Sequence, residues 1–454
     1  VSCGPGARAR RWCAAARRRG RLAPARRVGI AALVVILSFA LTACYEMGAL
    51  SFVRARAFGA EAVYASAGNG NDENHGLAPD QAVVDIQGAL DIAEAAGLSE
   101  VRVCAGTYEL WNEEEIVELR PGITLRGGYS EDFSQWDPDA YGTTIYTDRT
   151  ELSSLVRAQR AHIQNAVLEG FTLEYDLHDN WGEHVWFRQV ELRDGASVAI
   201  RGNTFRINVA FGDFTDWHAE AICLNSSTAS GDTPGWAPMQ LEISGNDIDW
   251  PVGNPIYYDS IGASEGSRVV IERNRIVAGS AVQLRGYGFQ FVNNVVSTRT
   301  DTYTAISLDG GGLELIHNTV ICNERVLAVT GDAEVGIYHN ILGMVNYGGT
   351  ALDLSDATGE FRYGSNLLFG SNNFISGDVA DDGGNTSYGG DISDELFFQG
   401  VNWDAPDAIT YDHALDDTSA GGPYAVDQGA PDHPSWDDDF EGDPRPQGSF
   451  VDLG

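Results

Sequence analysis

The stretch Leu241-Glu242-Ile243-Ser244-Gly245-Asn246-Asp247-Ile248 contains the unit that decides the fold of this chain. A short alternating run of apolar and polar residues leads to an Asn, and an apolar residue follows two positions later. This Asn unit recurs at successive spacings of 43, 28, 20, 24, 22 and 26 residues. Short strands repeated at a period in the twenties predict a solenoid, in which each repeat forms one coil. The Asn residues of the repeat are Asn203, Asn246, Asn274, Asn294, Asn318, Asn340 and Asn366.

We expect each Asn to stand at a sharp corner between two strands, because Asn tolerates the left-handed backbone conformation that such a corner needs. Stacked coils would place the Asn side chains above one another, so that their amides can hydrogen-bond along the stack. In the strands before each Asn, apolar residues should point inward and alternate with outward polar residues. The inward pairs expected are Val198 and Ile200, Leu241 and Ile243, Val269 and Ile271, Leu313 and Leu315, and Val335 and Ile337.

The residues on either side of the repeat indicate caps. Apolar residues at helical spacing over 85–96 predict a short amphipathic helix, which would cover the open first coil of the solenoid. A strand and a Gly turn follow at Val101–Tyr108, and a turn, a strand and another turn at Pro121–Tyr129. The tail is rich in Gly and Asp, and it contains Ala425–Gly429 and Asp439–Pro446.

These motifs, together with the Asn repeat, resemble the right-handed parallel β-helix of pectin-lyase-like proteins. Within that class they are similar to bacterial surface proteins of the choice-of-anchor Q type. The resemblance implies an all-β fold, a right-handed parallel β-helix of about ten coils. It also implies a short N-terminal capping helix and an irregular C-terminal cap. The segments expected are 1–43 as a lipoprotein signal peptide, 44–61 as a tether, 62–370 as the β-helix with its N-terminal cap, and 371–454 as the C-terminal cap.

The first segment has the features of an export signal. It holds nine Arg and no acidic residue, and it includes the 13-residue apolar run Val28–Ala40, which is too short to span a bilayer. Leu41-Thr42-Ala43-Cys44 resembles a bacterial lipobox, which implies cleavage before Cys44 and lipid attachment to that residue. Tyr45 follows the Cys, and this resembles sorting to the outer membrane. We therefore expect an exported chain that Cys44 anchors to the outer membrane or cell surface; an ordinary signal peptide is the alternative.

The composition limits the classes of partner. The chain of 454 residues carries 65 acidic against 29 basic residues, a formal net charge of −36, and every base is Arg. Such a surface repels nucleic acid, so no nucleic-acid partner is expected. A salt-rich habitat, a GC-rich genome or carboxylates that collect divalent cations would each account for the acid excess. The six Cys form no Cys-x-x-Cys pair, and we expect Cys104, Cys223 and Cys322 to be buried hydrophobic residues.

The long coil between Asn203 and Asn246 is where we expect function. Its extra residues predict that Ala210–Pro238 loops out, and aromatic and acidic residues accumulate there and in the coils on either side. On one flank these loops would form a groove in which aromatic rings stack on sugar rings. Packing of the loops onto the solenoid is the alternative. The ligand-binding residues expected are Trp181, His184, Trp186, Trp217, Trp250, Tyr258 and Asp259; the catalytic candidates are Asp213, Asp216, His218, Glu220 and Arg206.

Enzyme signatures of this fold class are missing from the sequence. The absence of Lys excludes the Lys base that related lyases use, and the Asn-Thr-Asp and Gly-His-Gly motifs of β-helix glycoside hydrolases do not occur. A Ca²⁺ loop is conceivable in the tail, although a solvated acidic turn accounts for the same residues. Its candidate ligands are Asp437, Asp439, Glu441 and Asp443.

Three hypotheses follow from the sequence. The first is a lipid-anchored surface β-helix that binds a polysaccharide or another surface polymer without turning it over. The second is a polysaccharide lyase or glycoside hydrolase that acts in the same groove, and the third is a structural or adhesive rod. The first and third differ in whether Trp181, Trp186, Trp217 and Trp250 line an open groove or are buried.

We predict that Cys44→Ser abolishes membrane retention. Stable anchoring needs several acyl chains, and without the Cys44 thiol the chain cannot receive the thioether-linked lipid that carries them. Fractionation of cells fed a labelled fatty acid measures the outcome. A variant that still carries the label would contradict the lipoprotein hypothesis.

Overall fold

The computed structural model describes residues 59–149, 152–158, 163–176, 186–193, 196–208, 218–225, 240–259, 267–298, 303–344, 349–370 and 373–388. These residues form short parallel strands stacked in coils, so the expected all-β parallel β-helix is confirmed. The strands belong to one sheet of 18 strands and one of 11 strands. At the usual spacing of about 4.8 Å between strands, 11 stacked strands make a rod roughly 50 Å long.

The elements are numbered in chain order. The helix is α1 (Ile86–Ala96), which lies between the first two strands. The strands are β1 (Val63–Ala65), β2 (Glu100–Cys104), β3 (Gly106–Glu109), β4 (Val117–Glu118), β5 (Thr124–Tyr129), β6 (Thr143–Thr147), β7 (Ser154–Ala158), β8 (Ala166–Glu169), β9 (Thr172–Asp176), β10 (Trp186–Arg193), β11 (Val198–Arg201), β12 (Thr204–Asn208), β13 (His218–Asn225), β14 (Gln240–Ser244), β15 (Asp247–Trp250), β16 (Asn254–Asp259), β17 (Arg268–Glu272), β18 (Arg275–Ala278), β19 (Val282–Val292), β20 (Val295–Thr298), β21 (Thr304–Ile316), β22 (Thr319–Cys322), β23 (Arg325–Tyr338), β24 (Ile341–Met344), β25 (Thr350–Gly364), β26 (Leu367–Phe369), β27 (Asn373–Ser376), β28 (Ala380–Gly383) and β29 (Thr386–Tyr388).

Each coil passes through three faces. The first face holds the strands that precede the Asn corner, the second face holds those that follow it, and the third face closes the coil. In the coil around Asn203, these strands are β11, β12 and β13 in that order. The second face is the 11-stranded sheet, whereas the first and third faces together form the 18-stranded sheet.

From β19 onward, the third and first faces merge into one long strand per coil. The strands β19, β21, β23 and β25 are 11, 13, 14 and 15 residues long. Their course changes at glycines: Gly310 and Gly331 have φ values of 68° and 75°, a conformation that residues with a side chain rarely adopt. Because the merged strand removes a corner, these later coils are shorter than the coils before them.

The 43-residue coil is a complete three-strand coil, which corrects the expectation that Ala210–Pro238 loops out as a whole. Strand β13 lies within that stretch and pairs with β10 on one side and β16 on the other. The sequence concealed this strand because residues 219–224 are all buried, so its apolar and polar positions do not alternate.

The side-chain amides of the Asn repeat form one continuous hydrogen-bonded ladder. Each Asn donates its backbone N–H and its Nδ2 to the Oδ1 of the next Asn; the two distances from Asn274 to Asn294 are 3.0 and 2.9 Å. The pattern runs unbroken from Asn203 to Asn385. The Nδ2 groups also donate to backbone carbonyls, as Asn318 does to Phe291 at 2.7 Å. The expected stacking of the amides is therefore confirmed.

The left-handed residue of each corner is the one before the Asn, which corrects the conformation expected for the Asn itself. Positive φ values occur at Gly202, Gly245, Arg273, Asn293, His317, His339 and Ser365. Two residues make the whole turn, and the first of them takes the left-handed conformation. The Asn is then free to direct its amide into the stack, where it is buried.

The solenoid also continues beyond the expected boundary at residue 370. Strands β27, β28 and β29 add to the stack, and Asn366 donates to Asn385 Oδ1 through both its nitrogens at 3.1 Å. Asn385 does not fit the Asn unit of the sequence, because Ser387, rather than an apolar residue, follows it by two positions.

The core is built from columns of apolar residues that stack from coil to coil. Ile200, Ile243, Ile271 and Phe291 stand in register on neighbouring strands, and each is completely buried. All ten expected inward positions are buried, so the predicted phase of these strands is confirmed. Cys104, Cys223 and Cys322 are buried, also as expected.

Helix α1 covers the N-terminal end, where the sequence predicts it. The Asp85 carboxylate accepts hydrogen bonds from the backbone N–H groups of Gln87 and Gly88 at 3.2 and 2.7 Å, and Gly97 ends the helix in a left-handed conformation. Its apolar side is buried against the first strands. Within the described ranges, no helix reaches the length and apolarity needed to cross a membrane.

We predict that Asn318→Ala lowers the free energy of unfolding by about 3 kcal/mol or more, because it strands several buried polar groups at once. The alanine leaves the Asn294 backbone N–H and the Phe291 carbonyl oxygen without the partner that Asn318 provides. Urea unfolding measures the change. The control is Asn208→Ala, an exposed Asn of the same solenoid, for which we expect a change within about 0.5 kcal/mol. Equal effects of the two substitutions would show that the ladder does not stabilise the coils.

Candidate functional site

The residues predicted to bind ligand lie partly on three neighbouring strands of the third face. Strand β13 pairs with β10 and β16, and the register sets Trp186 opposite His218 and Asn225 opposite Asp259. Strands of the three coils are therefore neighbours on one face. Trp181, His184, Asp213, Asp216 and Trp217 lie outside the described residues, as do the side chains of Trp186 and His218.

Glu220 forms a buried charged cluster on this face with two residues of β10. The Arg188 guanidinium lies 2.5 Å from a Glu191 carboxylate oxygen and 3.4 Å from a Glu220 carboxylate oxygen. Both glutamates are buried. Burial raises the pKa of the Glu220 carboxyl to about 6, and the charge and hydrogen bond of Arg188 oppose the rise. No motif in the sequence marks Glu191, which is the one acid of the strand Trp186–Arg193.

Two of the expected ligand-binding aromatics are core residues, and this corrects their assignment. Trp250 and Tyr258 are 0% and 2% exposed. The Trp250 ring packs edge-on against Phe187 and donates its Nε1 to the Ala219 carbonyl oxygen at 3.1 Å. Tyr258 packs edge-on against Phe289 with ring centroids 4.9 Å apart. Their alternation within β15 and β16 directs both rings inward, so neither is available to stack on a sugar.

Other predicted residues are separated by the fold. Arg206 is exposed on the second face, whereas Glu220 stands on the third, so the two do not share a site. Asp259 is half-buried and lies 3.5 Å from Arg285. The candidate Ca²⁺ ligands Asp437, Asp439, Glu441 and Asp443, and the lipidation residue Cys44, lie outside the described residues. In the part of the chain that is described, no group of His, Cys, Asp and Glu is arranged to hold a metal ion.

An open groove of about 430 Å³ lies on the outer surface of the first face, which the sequence analysis did not single out. Four consecutive strands, β8, β11, β14 and β17, contribute its floor and walls. One row across the strands runs Val167, Ala199, Glu242 and Val270, so the floor is largely apolar. The groove crosses the strands and therefore runs along the axis of the rod.

Planar polar groups stand along the walls of this groove. The Arg201 guanidinium makes two hydrogen bonds of 2.6 Å to the two carboxylate oxygens of Glu242. Arg268 donates from Nε and Nη2 to Gln290 Oε1 at 3.0 and 2.7 Å, and so its charge meets a neutral amide. Gln290 in turn donates to Glu314 at 2.9 Å. Guanidinium groups like those of Arg201 and Arg268 can form paired hydrogen bonds with the hydroxyl or carboxylate groups of a ligand.

An exposed tryptophan lies beyond the N-terminal end of the groove. Trp136 is 46% exposed, and the Arg126 guanidinium lies 5.1 Å from its ring centroid. Arg126 donates to Glu169 at 2.7 Å, and Glu169 stands opposite Arg201 in the groove wall. A chain of charged groups thus connects the Trp136 ring to the groove. The Trp136 indole donates to the Gly127 carbonyl oxygen at 2.8 Å, which fixes the ring on the surface.

We predict that the free energy of unfolding of the wild type, relative to Glu220→Gln, falls by about 1 kcal/mol between about pH 5 and about pH 7.5. The folded-state pKa of about 6 lies above the ordinary value of 4.5, so the folded chain binds this proton more tightly than the unfolded chain. The contribution is present below the unfolded pKa and is lost as the pH rises through the folded pKa.

Urea unfolding of both proteins at the two pH values measures this difference. The control is Glu242→Gln: although burial opposes it, hydrogen bonds from Arg201 and Ser244 lower the pKa of Glu242, so this pair should show no change in the same pH range. A pH-independent difference for Glu220→Gln would contradict the raised pKa.

Comparison with known protein families gives no matching family model, and comparison with curated proteins gives no match either. The assignment to a parallel β-helix therefore rests on the strands, their register and the Asn ladder described above.

Proposed function

We propose that this protein is a lipid-anchored surface β-helix that binds a polysaccharide along the outer surface of its solenoid without cleaving it. The observation that carries the proposal is the groove over β8, β11, β14 and β17. Its volume of about 430 Å³ falls within the range of about 300–1,000 Å³ that is usual for small-ligand sites. Its axis follows the rod, so a linear polymer can extend past both ends of the groove.

The geometry of the groove suits a chain of sugar rings. Neighbouring strands are spaced by about 4.8 Å, which is close to the length of one pyranose unit, so successive units meet equivalent positions of successive coils. Val167, Ala199 and Val270 offer apolar contacts to the C–H faces of the rings, and Glu242 stands between Ala199 and Val270 in the same row. Arg201, Glu242 and Arg268 stand beside it with groups that hydrogen-bond to hydroxyls.

The charge within the groove is balanced, so it suits a neutral polymer and repels an acidic one less than the rest of the chain does. The groove contains Arg201 and Arg268 beside Glu242 and Glu272, so its formal charge is balanced although the chain as a whole is strongly acidic. Arg268 meets the neutral Gln290 amide, and its charge is available to a uronate carboxylate or a sulfate ester. Trp136 extends the surface with a ring on which a further sugar can stack.

The lipid anchor belongs to the same proposal. Lipid on Cys44 would hold the chain at the outer membrane or cell surface, and residues 44–61 would separate the solenoid from the bilayer. Fully extended, these residues reach about 60 Å, which is sufficient to keep a rod of comparable length clear of the lipid headgroups. Membrane contact through Cys44 and polymer contact through the solenoid would then join the cell to its surroundings.

A catalytic role is the second candidate, and Glu220 is the observation that favours it. A carboxyl with a pKa of about 6 can act as a general acid near neutral pH. Against this role, Glu220 and Glu191 are buried, and Arg188 lies within ion-pair distance of both. Two further hypotheses are a purely adhesive rod and a Ca²⁺-dependent protein. No specific observation among the described residues favours either of them.

We predict that the Cys44→Ser chain migrates more slowly in gels cast with a polysaccharide that it binds; the panel comprises neutral, uronate-containing and sulfated polymers, each with and without Ca²⁺. Val270→Trp fills the groove floor and should weaken the retardation at least about tenfold in apparent affinity, since it replaces ligand contacts by a steric clash. The matched control is Ser307→Trp, the same enlargement at an outward position of the third face, which should leave binding unchanged.

The same polymers are analysed for chain length after incubation. Shortening that disappears in Glu220→Gln would replace the binding proposal by the catalytic one. Retardation that Val270→Trp and Ser307→Trp leave equally strong would place binding elsewhere, and no retardation by any polymer would leave the adhesive rod.

A further inference from the structure

The outer row that holds Val270 in the groove floor continues past the groove along the first face. The register places three further residues in this row at β19, β21 and β23, namely Gln290, Glu314 and Gly336. The first two carry polar side chains that reach along the rod, because Gln290 accepts from Arg268 at 2.7 Å and donates to Glu314 at 2.9 Å. The third is a glycine, so the row has no side chain of its own at β23.

The ring of Tyr338 takes the place of that missing side chain. Ile337 points into the core, so Tyr338 stands at an outward position of β23, where it is half-buried. A Cβ added at Gly336 would lie 3.1 Å from the ring atom Cε2, and one added at Gly364, the neighbour of Tyr338 in the next coil, would lie 3.4 Å from Cε1. The ring therefore lies low against two glycines, and one of them belongs to the row of the groove floor.

A hydrogen bond fixes the position of this ring. The Tyr338 hydroxyl donates to Asp382 Oδ2 in β28 at 2.8 Å. Burial and this hydrogen bond raise the pKa of Tyr338 to about 12, so the hydroxyl stays protonated and remains a donor at neutral pH. Arg362 follows Gly336 in the same outer row and is exposed, and its charge acts on the Tyr338 hydroxyl.

The groups around the ring are those that a sugar subsite needs. An aromatic ring offers an apolar face to the C–H groups of a sugar, and a ring that is already fixed loses little freedom when the sugar binds. Glu314 precedes Gly336 in the row and Arg362 follows it, so an acceptor and a donor stand on the two sides of the ring. Both can form hydrogen bonds with the hydroxyl groups of the same sugar unit.

The place of Tyr338 along the rod sets the length of the ligand that can reach it. The groove covers four strands, and β23 is the seventh strand when the count begins at β8. At about 4.8 Å per strand, β8 and β23 are about 29 Å apart. With one pyranose unit on each strand, a chain that begins at β8 contacts the ring only when it has at least about seven units.

We propose that Tyr338 is a second sugar-stacking subsite, aligned with the groove, and that it binds the seventh unit of a linear polysaccharide laid along the outer row of the first face. This inference rests on the proposed polysaccharide binding and specifies its ligand as an unbranched chain of at least about seven units. Chains of four units occupy the groove alone.

The test measures how binding depends on the length of the sugar chain. The probes are fragments of a neutral mannan, of polygalacturonate and of chondroitin sulfate, each prepared as a tetramer and as an octamer, and calorimetric titration gives their affinities. For the polymer that retards the protein in gels, the octamer should bind the wild type at least about tenfold more tightly than the tetramer, because it contacts both subsites at once.

Tyr338→Ala should weaken octamer binding at least about fivefold and leave tetramer binding unchanged, because only the octamer reaches the ring. Unchanged tetramer binding also shows that the variant is folded. The matched control is Tyr303→Ala, which removes the same side chain at an exposed position just before β21 and should change neither affinity.

Hydroxyl-radical footprinting of the wild type keeps the test valid if Tyr338→Ala fails to fold. The octamer should slow the oxidation of Tyr338 and leave that of Tyr303 unchanged, whereas the tetramer should slow neither. Equal affinities of the two fragments, or unchanged oxidation of Tyr338, would overturn the subsite while the groove proposal stands. Equal weakening of both fragments by Tyr338→Ala would assign the ring a structural role and also overturn it. A wild type that binds none of the fragments or polymers would refute the proposed function and the subsite together.

Discussion

One hydrogen-bonded column of asparagine amides sets the geometry on which the rest of the structure depends. The Oδ1 of each ladder Asn accepts two hydrogen bonds from the preceding ladder Asn. The Asn corners of all coils must therefore lie directly above one another. Because the amides are buried, a coil that slips in register would strand several polar groups at once. The columns of apolar residues in the core, such as Ile243 above Ile271, follow from this alignment.

The sequence predicted the parts of the fold that repeat. The Asn spacing and the alternation before each Asn were sufficient to predict the coils, the inward residues and the capping helix. The sequence did not predict the elements that depart from this pattern. Apolar and polar residues do not alternate in β13, because the strand is buried on both sides. In the last coil, Ser387 occupies the position where the Asn unit has an apolar residue. The left-handed corner residue was also misplaced, because side chains as different as those of Gly202, Arg273 and His317 occupy it.

The candidate site was harder to predict because its residues share a surface only after coiling. Val167 and Val270 are about a hundred residues apart in sequence, yet they stand in one row of the groove floor. Two of the aromatic residues that suggested a sugar site, Trp250 in β15 and Tyr258 in β16, point inward and are part of the hydrophobic core. The residue type alone does not tell whether an aromatic side chain binds a ligand or packs in the core. The inward or outward position of the residue in its strand does.

The corner that carries the ladder has a fixed length. From β8 and β9 to β28 and β29, each strand of the first face is joined to the next strand of the second face by two residues. The corner between the second and third faces, by contrast, ranges from two residues between β22 and β23 to nine between β12 and β13. Insertions can therefore accumulate at the other corners while the ladder corner admits none, so diversification of such a chain is directed to one side of the rod and the opposite edge remains constant.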